Sequence, residues 1–202
     1  MLKLHHAPNS RAGRIVWLLE ELQLPFELNR MDFSPKALKS EEHRARHPLG
    51  RVPVLEDGDL MLYESGAIVE YLIARHSNGD LKPAVNSPLF PQYLQWFHYC
   101  EGMVMPPINT IVVQTLLLPP ERRNEEILGQ AKRLLTKTLE PLNETLSGRD
   151  YMLGALSGVD FMLGHACYMS RRLGCMPEEM THLHAYVSRL ETRPAFIKGI
   201  KA

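Results

Sequence analysis

A change of texture near residue 76 constrains this chain more than any other feature. Before it, short strand-like and helix-like segments alternate; after it, no segment reads as a strand. Residues 2–6 alternate apolar and polar and predict a strand. Ile15, Leu18, Leu19 and Leu22 recur at helical spacing, Ser10 is placed to cap that helix, and Pro25 ends it. Residues 26–31 predict a second strand, parallel to the first because a helix connects them. Residues 35–46 are polar and helical. Val52 to Glu56 and Leu60 to Tyr63 flank the turn signal Asp57-Gly58 and predict a hairpin. A helix from Glu64 to Arg75 closes the unit. The order is β-α-β-α-β-β-α.

Residues 77–89, with Ser77-Asn78-Gly79-Asp80 and prolines at 83 and 88, read as a linker. Beyond it, Ala131, Leu134, Leu135, Leu142 and Leu146 mark a long amphipathic helix. Further helices are predicted at 157–173, 178–191 and 194–200. Pro106-Pro107 removes two donors inside another helix and predicts a kink near Gly102 and Met103. Ser157 and Asp160 have capping-box spacing and are assigned a structural role. The expected division is 1–76, a linker at 77–89, and an all-helical domain at 90–202.

Lys+Arg and Asp+Glu number 23 each, so bulk charge gives no handle on nucleic acid. Apolar residues make up 45% of the 202, enough to bury a core. The cysteines, Cys100, Cys167 and Cys175, form no metal-ligand pattern, and such sparse thiols fit a reducing compartment. No segment reads as a signal peptide or a membrane span, so a cytoplasmic protein without membrane contact is expected. His5 and His6 are neighbours on a strand and point to opposite faces, so no metal site is expected.

Several motifs stand in a fixed order: Ser10-Arg11-Ala12 with Arg14, Trp17-Leu18-Leu19-Glu20-Glu21-Leu22, His47-Pro48-Leu49-Gly50-Arg51-Val52-Pro53, Glu64-Ser65-Gly66, Glu101-Gly102 and Met105-Pro106-Pro107. Together they resemble the glutathione transferase family, in a branch found in fungi and bacteria. The resemblance covers nearly the whole chain. It implies a thioredoxin-like α/β domain that binds glutathione, followed by an all-α domain carrying an electrophile site. It also implies a homodimer and a detoxifying transferase acting on small hydrophobic electrophiles, with glutathione as co-substrate and no metal. The same site suits reduction of organic hydroperoxides. A glutathione-dependent isomerase is disfavoured by Arg11-Ala12-Gly13 after Ser10. A non-catalytic binding or regulatory protein is the competing class.

A free thiol has a pKa of about 8.5, so a transferase must stabilise the glutathione thiolate. Ser10 stands where serine-type members place the hydroxyl that does this. Asn9 is adjacent and is the other candidate donor. Val52-Pro53 implies a cis peptide whose Val52 backbone pairs with the cysteinyl unit of glutathione. Glu64 and Ser65 open a helix and are implied holders of the γ-glutamyl end. Arg51 suits the glycine carboxylate and equally suits a solvated surface; Lys39 and Arg11 are weaker contacts. Tyr99, Met103, Met105, Asn109 and Val113 are the expected lining of a loose apolar electrophile pocket, although each also suits a helix core.

Overall fold

The alternation in Leu2–His6 builds the central strand of a four-stranded sheet with order β2-β1-β3-β4. The computed structural model describes all of residues 1–202. β1 (Leu2–His6) pairs in parallel with β2 (Phe26–Arg30) and antiparallel with β3 (Val54–Asp57), and β4 (Leu60–Tyr63) forms the far edge. Two parallel strands need a crossover, here α1 (Gly13–Glu21). α4 (Ser65–His76) packs beside α1. Ile15, Leu18, Leu19, Ile68 and Leu72 are fully buried, as are Leu4 and Leu55, which stand side by side on the sheet. His6 shares the face of Leu4. The other face is polar: Asn29 Nδ2 donates to His5 Nδ1 at 2.7 Å, leaving His5 Nε2 to donate to Glu56 at 2.6 Å, and Lys3 pairs with Glu27 at 2.9 Å.

The polar helix expected at 35–46 is two, α2 (Pro35–Leu38) and α3 (Glu41–Arg46). Ser34 and Ser40 each accept a backbone N–H, from Ala37 and His43, so each starts its own helix. The hairpin turn is Gly58-Asp59, one residue later than expected, with Gly58 at φ +60°. β3 begins at Val54, so Val52 and Pro53 belong to the loop before it.

The chain forms two compact units, Met1–Lys82 with Leu190–Ala202, and Pro83–Arg189. The sequence pattern groups the last residues with the helical half; α10 (Pro194–Lys201) instead packs on α1. Phe196 meets Trp17 edge-on at 4.8 Å, and Arg193 grips Glu21 with two bonds of 2.7 and 2.8 Å. A Cβ on Gly199 would lie 2.6 Å from the Gly13 carbonyl, so only glycine permits this approach.

The second unit contains α5 (Phe90–Tyr99), α6 (Met105–Val112), α7 (Glu125–Thr145), α8 (Gly158–Arg172) and most of α9 (Thr181–Glu191). A π-helical turn, Cys100–Val104, joins α5 to α6 where the prolines predict a break. At the start of α8 the capping box is formed. Asp160 is fully buried and accepts from Met152 N, Ser157 N, Ser157 Oγ and the Tyr186 hydroxyl, at 3.1, 2.8, 3.0 and 2.8 Å. Burial pushes its pKa up to about 6 against the pull of those donors. All three cysteines are reduced and buried.

Candidate functional site

Strand register gathers the candidate residues of the first unit. His5 pairs with Val54, and Val54 pairs with Tyr63. The end of β1, the start of β3 and the end of β4 therefore lie at one edge of the sheet. From that edge emerge the loop bearing Asn9 and Ser10, the loop bearing Arg51, Val52 and Pro53, and the start of α4 with Glu64 and Ser65.

The first loop is not the helix cap expected from the sequence. α1 starts at Gly13, and Asn9 in the left-handed region (φ +58°) makes a separate turn first. Within that turn Ser10 Oγ accepts the Ala12 N–H at 3.2 Å. A hydroxyl has one proton and can accept as well as donate. With Ala12 donating to it, Ser10 keeps its own proton to give to an anion. Ser10 is half-buried, as suits a group that meets a ligand.

The second loop is tied down along its length. His47-Pro48-Leu49-Gly50 closes as a turn through Gly50 N to His47 O at 2.7 Å. Proline second and glycine fourth match the preferences of that turn. Leu49 N donates to His47 Nδ1 at 3.1 Å, and Lys39 Nζ donates to the Leu49 and Gly50 carbonyls. A Cβ on Gly50 would lie 2.1 Å from the Leu38 carbonyl, and its φ of +54° also favours glycine. His43, fully buried, puts Nε2 at 2.8 Å from the Arg51 carbonyl. The Val52–Pro53 peptide is cis, as the resemblance implies. The Arg51 side chain is exposed.

The third segment is an open helix start. Glu64 precedes α4 at φ +74°, a conformation that costs a non-glycine residue about 1–3 kcal/mol and clusters at functional sites. No side chain caps the first turn. Ser65 is buried, and its Oγ accepts from Arg14 Nη1 at 3.3 Å. A first turn without a side-chain cap, the helix dipole and a serine hydroxyl at its start suit a carboxylate.

Arg14, His43 and His47 hold these segments; Arg14 and His47 stood in the sequence motifs without an assigned role, and His43 was not named. Arg14 carried a signal: it is a charge beside Ile15 and Leu18 on the apolar side of α1, and it is fully buried.

In the second unit the five candidates divide. Met103, Asn109 and Val113 are exposed; Met105 is buried; the Tyr99 hydroxyl donates to the Thr138 carbonyl at 3.1 Å, on α7. Burial raises the Tyr99 pKa.

The chain matches the sequence model of the glutathione S-transferase N-terminal domain over residues 1–74 and that of the C-terminal domain over residues 104–194. Glutathione S-transferase 4 of Zea mays is 31% identical over 194 residues, covering 91% of this chain and 84% of its own. The crystal structure of glutathione transferase F7 from Populus trichocarpa superposes with a TM-score of 0.87 at 28% identity, over 100% of this chain and 98% of that one. A glutathione transferase homologue from Lodderomyces elongisporus, crystallised with two GSH per subunit, shares the fold at a TM-score of 0.90 and 20% identity, over 99% and 97% of the two chains.

Proposed function

The chain belongs to the glutathione transferase family, and from that premise we propose that it conjugates the thiolate of glutathione to small apolar electrophiles. The observation that carries the reading is the Ser10 hydroxyl, which accepts the Ala12 N–H and so keeps a proton to give, beside the start of α4, which no side chain caps. Ser65 and the start of α4 take the γ-glutamyl carboxylate, with Glu64 on the ammonium side. The Val52 backbone pairs with the cysteinyl unit, and Arg51 reaches the glycine carboxylate. The Ser10 hydroxyl, or Asn9 beside it, then faces sulfur.

The thiolate attacks the electrophilic carbon, the carbon–sulfur bond forms, and the leaving group departs with its electron pair. With a hydroperoxide the thiolate attacks the distal oxygen. The alcohol leaves, and a second glutathione converts the resulting sulfenic acid into disulfide and water. Met103, Asn109 and Val113, the exposed members of the set, receive the electrophile, and Tyr99 and Met105 complete the lining. The enzyme works in the cytoplasm as a homodimer, with the helix at 64–75 and the segment at 90–113 near the two-fold axis. No helix is long and apolar enough to cross a membrane.

A hydrogen bond to a charged group is worth roughly 1.5–3 kcal/mol, or about one to two pKa units of thiol activation. Ser10→Ala is expected to slow conjugation roughly ten- to a hundredfold and to change glutathione affinity little. It also leaves the Ala12 N–H without its acceptor, at about 1 kcal/mol, so folded fractions are matched first. Thiolate absorbance titrated against pH, with glutathione bound to each protein, is the test. Coincident curves with equal turnover remove Ser10 and leave Asn9 or a backbone N–H as the activator.

A further inference from the structure

We propose that His47 is a positioning residue for glutathione, and that the acceptor role of its Nδ1 makes glutathione docking weaken as the solution turns acidic. The inference rests on the reading above, in which the loop from Leu49 to Pro53 holds the tripeptide.

His47 ends α3 and is buried. Its carbonyl takes the Gly50 N–H and its ring Nδ1 takes the Leu49 N–H, so one residue satisfies both free amides of the turn; Pro48 has none. An imidazole nitrogen accepts only when it carries no proton. This fixes His47 as neutral, with its hydrogen on Nε2. Protonation would set an N–H against the Leu49 N–H, and two donors repel. The turn must then open, and the two residues after Gly50 are Arg51 and Val52.

His43 provides the contrast. Its Nε2 donates to the Arg51 carbonyl, a role that survives protonation, while its Nδ1 is buried with no partner. Charging His43 would break no bond, whereas charging His47 breaks the one that shapes the loop. The groups facing His47 are the Tyr63 ring at 4.6 Å on β4, Glu64, His43 and Arg51. Burial, then His43 and Arg51, hold its pKa below the ordinary value, and Glu64 pulls the other way. His47 is thus neutral at neutral pH and charges in the acid range.

The probe is S-methylglutathione, which lacks the thiol whose ionisation the Ser10 reading couples to binding; its carboxylates titrate near pH 3–4 and its amine above about pH 8. Calorimetry carried down in pH from about 7.5 through the His47 titration that NMR reads should show the Kd of the wild type rising roughly threefold to tenfold, the value of one hydrogen bond. His47→Asn keeps an acceptor, Oδ1, that does not titrate, and its Kd should stay nearly flat. His47→Ala lacks the acceptor at every pH and should bind weakly and uniformly. By reciprocity, the bound probe should lower the His47 pKa read by NMR in the wild type. A flat wild-type Kd, or the same acid dependence in His47→Asn, overturns the proposal. Failure of the wild type to bind glutathione at neutral pH would instead sink the functional reading. The latch is then still decided in the free protein, where the Leu49 amide shift must follow the His47 titration; an amide that ignores it overturns the latch.

Discussion

Two helices of this protein begin with a serine and an acidic residue, and they begin in opposite ways. At α8, Ser157 and Asp160 close on each other, and the Asp160 carboxylate is filled by the donors from Met152, Ser157 and Tyr186. At α4, Glu64 and Ser65 leave the first turn uncapped, with Glu64 in a strained conformation and the Ser65 hydroxyl backed by Arg14. The same residue types therefore serve two ends. A helix start whose donors are all satisfied internally adds stability and offers a ligand nothing. A start that no side chain caps forgoes that stability, and in the proposed reading it offers its first-turn donors to an incoming anion.

The largest effect expected from breaking this contrast is at the closed end. Asp160→Ala leaves two backbone amides and two hydroxyls in a dry interior without an acceptor. The expected loss is roughly 3–5 kcal/mol, read as a lower urea midpoint. A loss within 1 kcal/mol would mean that the box does not hold α8.

A second effect sharpens the comparison through pH. His6 lies buried on the apolar face of the sheet, and burial, with Arg30 nearby, lowers its pKa to about 4. The unfolded chain takes up this proton near pH 6.5, so the stability contributed by neutral His6 is lost as pH falls from 6.5 through 4. Asp160 has the opposite sign. Its folded pKa of about 6 lies above the unfolded value of 3.8, so its contribution is complete below 3.8 and is lost as pH rises through 6. Each amounts to about 3 kcal/mol at 1.36 kcal/mol per pKa unit. Between pH 6.5 and 4.5 hydrogen exchange should therefore show the sheet unit losing protection relative to the α8 unit. Parallel changes in both units would remove the linkage.

The contrast also marks what the sequence made legible. Alternation in Leu2–His6 and the Asp57-Gly58 signal placed the strands, since both are local and periodic. The Ser157/Asp160 box was readable for the same reason: its partners are three residues apart. Ser10 was read as a cap of α1 because the hydroxyl precedes an apolar stripe. The left-handed Asn9 inserts a turn that moves the helix start to Gly13, and no spacing rule reveals that. One polar stretch became α2 and α3 because Ser34 and Ser40 each cap a helix start of their own, at Ala37 N and His43 N. Arg14 and Ser65 are 51 positions apart, and their bond comes from the packing of α1 against α4. The docking of α10 onto α1 is equally non-local: its helical period was visible, but not the backbone contact that Gly199 allows.

The smallest change in stability is expected at the open end, and it decides whether that end is open for a ligand. Ser65→Ala removes a hydroxyl that accepts from Arg14 Nη1 at 3.3 Å, at the start of a helix whose N-cap residue makes no side-chain cap bond. The stability lost should be about 1 kcal/mol or less. The effect on binding should be larger, because the hydroxyl proton is the one proposed to meet the γ-glutamyl carboxylate. A hydrogen bond to a charged group is worth roughly 1.5 kcal/mol or more, so the glutathione Kd should rise about tenfold or further. Turnover at saturating glutathione should hardly move, since Ser10 is intact. Ser157→Ala is the mirror experiment: it should lose about 1–2 kcal/mol of stability and leave the Kd unchanged. Urea melts and calorimetry on the two variants give four numbers. If Ser65→Ala loses stability as Ser157→Ala does while the Kd holds, α4 begins with an ordinary cap, and the carboxylate site must be sought elsewhere on that edge of the sheet.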